Sequence, residues 1–253
     1  MLESYIKNKL QEKEILLMTH IVLGYPSFDD CLSIIKSMVD SGVDIMELQI
    51  PFSEPIADGS VILRANQVSL ENNTTVKKCL DFADKITKDF HIPFLFMTYY
   101  NILFKYGVKN FVYNMSKTGI KGAIVPDLPP EEGSEYLQCM KKSNLSPIFI
   151  FSPKTSDQRL KYLSSYANGF VYCVARKGVT GADTNFSNEF TSYIERCKMA
   201  TSLPLAVGFG VKNKSDIDFL KGKADIAVIG TQTIKIVEEK GVGGVGDFIR
   251  GLR

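Results

Sequence analysis

Residues 15–50 read ILLMTHIVLGYPSFDDCLSIIKSMVDSGVDIMELQI. The run ILLMTHIVLG (15–24) is almost continuously apolar, as suits a strand covered on both faces. FDDCLSIIKSMVDSG (28–42) changes period. Its apolar residues recur at helical spacing, Asp29 or Asp30 can help cap the start, and Gly42 stops it. DIMELQI (44–50) is a second apolar run. Strand, helix and strand joined by short turns form a βαβ unit, which makes the two strands parallel.

The same alternation runs to the end of the chain. Further strands are predicted in PFLFMTY (93–99), GAIVPD (122–127), SPIFIFSP (146–153), GFVYCVA (169–175), PLAVGFG (204–210) and DIAVIGT (225–231). Helical patterns lie at 74–90, 110–119, 131–143, 157–169, 188–200, 215–223 and 233–241. Eight parallel strands with helical crossovers predict a (β/α)8 TIM barrel, with an open eight-stranded sheet as the structural alternative. A helix over 2–13 is an extra element closing the bottom of the barrel. No low-complexity linker divides the chain, so residues 1–253 read as one catalytic domain.

Hydrophobic residues make up 45% and charged residues 23%, ordinary values for a packed soluble chain. The formal charge is +2, with lysines scattered and no basic stripe, so no nucleic-acid partner is expected. The five cysteines are odd in number and contain no CxxC, which favours reduced thiols over disulfides or a zinc site. The charged, amphipathic start does not read as a signal peptide, and no apolar run approaches the roughly 20 residues of a membrane span. A cytoplasmic protein is the expectation.

Barrel enzymes place their chemistry where strands end and βα loops begin. The second such junction is the richest: MELQIPFSEPIADG (46–59). Glu47 sits inside an apolar strand, where an ionised carboxylate is costly unless paired. A buried structural Glu would read the same way, but Glu54 and Asp58 follow within the next loop, between Pro51, Pro55 and Gly59. Three carboxylates within 12 residues at the catalytic end suit acid/base chemistry beneath a mobile loop. A metal site would also use carboxylates, yet His20 is the one candidate histidine, and a core or pocket-wall role fits it better. The last loops, 175–183, 207–216 and 228–235, carry small residues. Gly181, Gly210, Gly230 and the Thr231 hydroxyl can hold a phosphate with backbone N–H groups and a helix N-terminus. GVGGVG (241–246) matches a dinucleotide fingerprint in letters, but it follows a helix rather than a strand and reads as a flexible connection.

ELQIPFSEPIADG (47–59) resembles the signature of tryptophan synthase alpha chains. The resemblance continues, in the family's order, through LGYPS (23–27), MTYYN (97–101), VPDLPPEE (125–132), GVTGA (178–182), GFGV (208–211) and IGTQTIK (229–235). It implies a lyase that cleaves indole-3-glycerol phosphate to indole and glyceraldehyde 3-phosphate in L-tryptophan biosynthesis. Glu47 matches the family's general acid/base, and Asp58 the carboxylate that meets the indole N–H. The phosphate contacts map to Gly181, Gly210, Gly230 and Thr231. Tyr99, Ile124, Ile150, Tyr172 and Phe209 match or neighbour the indole pocket. Thr180 matches the residue that meets the second loop on closure, opposite Glu54. The resemblance implies no cofactor in this chain and a beta-chain partner carrying pyridoxal phosphate, in an α2β2 heterotetramer docked through Pro51–Asp58 and the surroundings of Asn101.

The chain departs from that pattern in places. Gln49 stands where the family has Gly, so its amide either crowds the indole or hydrogen-bonds Glu47. Glu54 replaces Asp, Ser60 replaces Pro, Leu63 replaces Gln, Ile102 replaces Pro, and His20 takes an apolar or aromatic position. Competing readings are a stand-alone lyase releasing free indole, a barrel that chiefly binds and activates a beta chain, and a different phosphate-binding barrel enzyme.

Overall fold

A computed structural model describes residues 1–175, 188–208 and 210–253, apart from the side chain at 188. Its strands are β1 (Leu16–Val22), β2 (Ile45–Gln49), β3 (Phe94–Met97), β4 (Gly122–Ile124), β5 (Ser146–Phe151), β6 (Val171–Val174), β7 (Leu205–Gly208) and β8 (Ile226–Ile229). They pair in sequence order, and β1 pairs with β8, so the sheet closes into a barrel. Every pairing is parallel.

Helix α1 (Leu2–Lys9) precedes the barrel, and α2 (Phe28–Asp40) joins its first two strands. Helices α3 (Ser60–Glu71) and α4 (Val76–Asp89) follow β2, and α5 (Tyr100–Tyr106) and α6 (Val108–Lys117) follow β3. Around the remaining circuit run α7 (Ser134–Lys142), α8 (Asp157–Ser164), α9 (Asn188–Ala200), α10 (Lys214–Leu220), α11 (Thr231–Lys240) and α12 (Gly243–Arg250). The strands are shorter than the apolar runs because those runs continue into buried turns. Leu23 and Ile50, for example, are buried just past the ends of β1 and β2.

Strand alternation divides the apolar side chains between two layers. One cluster lies between strands and helices; the other fills the barrel with Leu16, Met18, Ile45, Leu95, Ile124, Ile148, Phe170 and Val228. Leu2 and Ile6 of α1 belong to the inner cluster, so that helix plugs the N-terminal end. Burying each of them contributes about 1.5–3 kcal/mol. The same end is tied by buried Asp44, which accepts from Leu17 N (2.9 Å), Lys13 Nζ (2.5 Å) and Arg253 (2.7 Å).

Three local readings change. Ser27, not Asp29 or Asp30, caps α2, its hydroxyl accepting from Asp30 N at 3.1 Å. Asp29 and Asp30 instead occupy the first turn, where a negative charge suits the helix dipole. Helices α3 and α5 were not expected as separate elements. The flexible connection expected over 241–246 is overturned, because α12 begins at Gly243. Val245, Ile249 and Leu252 recur at helical spacing and are buried, and that apolar stripe outweighs the helix-weakening glycines.

Candidate active site

The barrel interior turns polar toward the C-terminal ends of β1 and β2. His20 registers with Glu47, and Val22 with Gln49, so His20 and Glu47 are cross-strand neighbours. Glu47 and Gln49 then share the inner face by the two-residue strand period. All three are buried. His20 Nδ1 lies 3.0 Å from Glu47 Oε1. Among the described residues Glu47 Oε2, His20 Nε2 and Gln49 Oε1 have no hydrogen-bond partner.

Asp58 reaches the same region from the loop after β2. Its Oδ2 accepts from Gln49 Nε2 at 2.6 Å and from the Tyr99 hydroxyl at 3.0 Å. Tyr99 in turn accepts from Ala57 N at 3.2 Å and stacks on Phe52 with ring centroids 5.2 Å apart. A single phenol therefore holds both the loop backbone and the carboxylate. The Gln49 amide goes to Asp58 rather than to Glu47, which replaces the expectation of a Gln49–Glu47 bond.

His20, Glu47 and Asp58 line a cavity of about 410 Å³ whose wall also includes Ile124, Ile150, Tyr172, Gly210, Gly230 and Thr231. That volume suits a small ligand of drug-like size. Gly208 permits the close approach of Tyr172: a Cβ there would lie 2.7 Å from its hydroxyl. Gly210 has φ +96, a left-handed conformation that favours glycine. Met97, Val174 and Val228, which sequence reading did not single out, add apolar wall. Tyr99 is wholly buried beneath Phe52 and is not among the lining residues. Glu54 is exposed on the loop after β2. Thr180, Gly181 and Phe209 lie outside the described residues.

Two helices present their N-termini at one side of the cavity. In α10 the start is closed by a capping box: Asn213 accepts from Asp216 N, and Asp216 accepts from the N–H groups of Lys212 and Asn213. Helix α11 starts at Gly230 with no side-chain cap, and Thr231 and Gln232 face the cavity. An uncapped N-terminus leaves N–H donors and positive dipole charge for an anion.

The electrostatics follow from burial. Burial opposes charge on His20, but the Glu47 hydrogen bond and charge, the Asp58 charge and the Gln49 amide together raise its pKa. Burial raises the Asp58 pKa, against the pull of the His20 charge and the Gln49 and Tyr99 hydrogen bonds. Tyr172 is held neutral by burial and by the nearby Glu47 and Asp58 charges. Among the described residues no cluster of three or more His, Cys, Asp or Glu is disposed to hold a metal ion.

Comparison with known proteins places the chain. The family model described as tryptophan synthase alpha chain matches residues 6–245. The tryptophan synthase alpha chain of Desulforapulum autotrophicum is 62% identical over 252 residues, covering 100% of both chains. That of Syntrophotalea carbinolica is 56% identical over 253 residues, again covering 100% of both. In three dimensions the chain is similar to Mycobacterium tuberculosis tryptophan synthase at TM-score 0.93 and 27% identity, covering 99% of this chain and 96% of that one. A tryptophan synthase complex from Pyrococcus furiosus aligns at TM-score 0.86 and 27% identity, covering 94% and 97%.

Proposed function

Because the chain belongs to the tryptophan synthase alpha chain family, we propose that Glu47 and Asp58 carry out its reaction within the cavity at the C-terminal mouth of the barrel. The protein is a carbon–carbon lyase: it cleaves indole-3-glycerol phosphate by a retro-aldol reaction to indole and glyceraldehyde 3-phosphate. The observation that carries the residue assignment is the pair of carboxylates in a single cavity, Glu47 held through one oxygen by His20 and Asp58 through one oxygen by Gln49 and Tyr99.

The proposed phosphate position is over the uncapped start of α11, where Gly230 and Thr231 offer N–H groups and Thr231 a hydroxyl, with Gly210 on the neighbouring loop after β7. Indole lies against Ile124, Ile150 and Tyr172. Glu47 delivers a proton to the indole C3, and Asp58 stabilises the positive charge that this puts on the ring N–H. Glu47 then takes the proton of the glycerol hydroxyl on the carbon next to the ring. As that oxygen becomes a carbonyl, the carbon–carbon bond breaks and its electrons return to the ring. The proton lost from the hydroxyl balances the one gained by C3. The assignment routes no step through a cofactor in this chain.

We further assign a beta-chain partner carrying pyridoxal phosphate, in an α2β2 assembly, and a single-domain cytoplasmic protein. Exposed Ile56 and Phe104 support docking there, since they sit on the loop after β2 and on α5, beside one another in the circuit of βα connections. No helix among the described residues is long and apolar enough to cross a membrane.

The test is indole release from indole-3-glycerol phosphate, with and without a beta chain, for wild type and Glu47→Ala. A general acid/base contributes about 10²–10⁴-fold, so Glu47→Ala falls by that range. Unchanged activity in Glu47→Ala would overturn the assignment, and equal rates with and without the partner would favour a stand-alone lyase.

A further inference from the structure

His20 has no role in the steps above, yet it lines the same cavity and is almost wholly buried. Its placement is set by the backbone: β1 and β2 pair in a register that puts His20 directly beside Glu47. Among the described residues the imidazole is the one hydrogen-bond partner of the Glu47 carboxylate, at 3.0 Å through Oε1. Glu47 Oε2 is buried and unpartnered, as is His20 Nε2.

That asymmetry bears on catalysis. The terminal torsion of a glutamate is broad and nearly two-fold, so an untethered carboxylate exchanges its two oxygens readily. A general acid must hold its proton-bearing oxygen within about 2.6–3.2 Å of the accepting atom, which an exchanging carboxylate does only part of the time. We propose that His20 is a positioning residue for Glu47, its Nδ1–H fixing Oε1 so that Oε2 alone meets the substrate. The inference rests on Glu47 being the acid/base of the reaction.

The tether also suits both halves of the proton cycle. Oε2 gains and loses the travelling proton, while the N–H···Oε1 bond stays in place whether the imidazole is neutral at Nε2 or fully protonated. The charges of Glu47 and Asp58, with the Gln49 amide, hold the His20 pKa above its usual value despite burial. A raised pKa favours the imidazolium, in which Nδ1 carries a proton, and in the neutral ring the bond to Oε1 at 3.0 Å selects the Nδ1–H tautomer.

The test compares His20→Phe, which keeps a planar ring without the donor, with His20→Asn, whose amide N–H can replace Nδ1–H. Cleavage of indole-3-glycerol phosphate is measured for the full chain, alone and with a beta chain, and thermal unfolding is followed in parallel. A hydrogen bond to a charged group is strong enough that its loss costs His20→Phe on the order of 10- to 100-fold in kcat. KM stays near the wild-type value, because the tether acts on Glu47 and not on bound substrate. His20→Asn recovers most of the lost kcat. Wild-type kcat in His20→Phe would overturn the proposal, as would His20→Asn being no better than His20→Phe with equal thermal stability. Should His20→Phe fail to fold, His20→Ala with added imidazole takes its place. Recovery of kcat by imidazole supports the proposal, and no recovery overturns it. Glu47→Gln separates the two levels: if it keeps activity, the acid/base assignment falls and this inference with it. An inactive Glu47→Gln beside a fully active His20→Phe overturns the inference alone.

Discussion

Replacing Tyr99 by Phe removes a single oxygen from the site. Tyr99 is wholly buried, and its stack on Phe52, with centroids 5.2 Å apart, survives in Phe. What is lost is the hydroxyl that donates to Asp58 Oδ2 at 3.0 Å and accepts from Ala57 N at 3.2 Å. Ala57 is exposed, so water can take over that N–H. Asp58 keeps the Gln49 amide at 2.6 Å but loses its second donor. A hydrogen bond to a charged group contributes about 1.5–3 kcal/mol, and the lower end applies where one donor remains. That corresponds to roughly a tenfold loss in kcat/KM. The direction with pH is fixed as well. Burial pushes the Asp58 pKa up, while the His20 charge and the Gln49 and Tyr99 bonds pull it down. Deleting one of those pulls moves it further up. In its proposed role Asp58 must be ionised to meet positive charge on the indole, so the acid limb of the kcat/KM profile moves to higher pH. The loss is therefore larger in acid than at neutral pH. Continuous indole detection across the pH range measures both effects. An acid limb that stays put or moves to lower pH would refute the reasoning.

Gly208→Ala places a Cβ 2.7 Å from the Tyr172 hydroxyl and 2.9 Å from its ring, forcing that side chain into the cavity. Overpacking of this kind costs about 1–3 kcal/mol, which should appear chiefly as a raised KM for indole-3-glycerol phosphate in steady-state kinetics. At the other end of the barrel, Asp44→Ala leaves Leu17 N–H buried without its acceptor and frees Lys13 and Arg253. Those two side chains are about a third exposed, so solvent screening discounts their share, and urea unfolding should show a loss of about 2–4 kcal/mol. His20 gives a pH-dependent stability. Its folded pKa is raised, facing Glu47 and Asp58, so its contribution is complete below the ordinary histidine value of about 6.5 and fades as pH rises through the folded value. The stability gap between wild type and His20→Leu should therefore narrow from pH 6 to pH 9 in urea melts, and a widening gap would contradict the sign.

The barrel was legible because its strands are covered on both faces. Runs such as DIMELQI and DIAVIGT stand out between helical stretches whatever their partners. Helix α12 was hidden by glycines at 241, 243, 244 and 246, since its stripe of Val245, Ile249 and Leu252 gains weight only when packed on α2 and α11. Helix α3 was hidden because Gly59 offers no capping side chain. Glu47 and Asp58 were visible as carboxylates at a strand end. The bonds that orient them were not, because they depend on register between different strands. Gln49 illustrates the limit: the strand period puts it on the same face as Glu47, but only the path of the following loop brings Asp58 within 2.6 Å of its amide. Likewise, Tyr99 reads as pocket wall from the chain, whereas the loop after β2 folds over it and turns its hydroxyl to Asp58.

One cavity brings together the proposed acid/base, the proposed indole-facing carboxylate and the proposed phosphate site. The most direct measurement is a crystal structure of Glu47→Gln with indole-3-glycerol phosphate bound, since that variant keeps the shape of the site while lacking the acid. The phosphate should lie over the N–H groups at the start of α11, the indole N–H on Asp58, and the indole C3 within reach of the substituted side chain at position 47. Phosphate at the capped start of α10, or an indole ring turned away from Asp58, would contradict it.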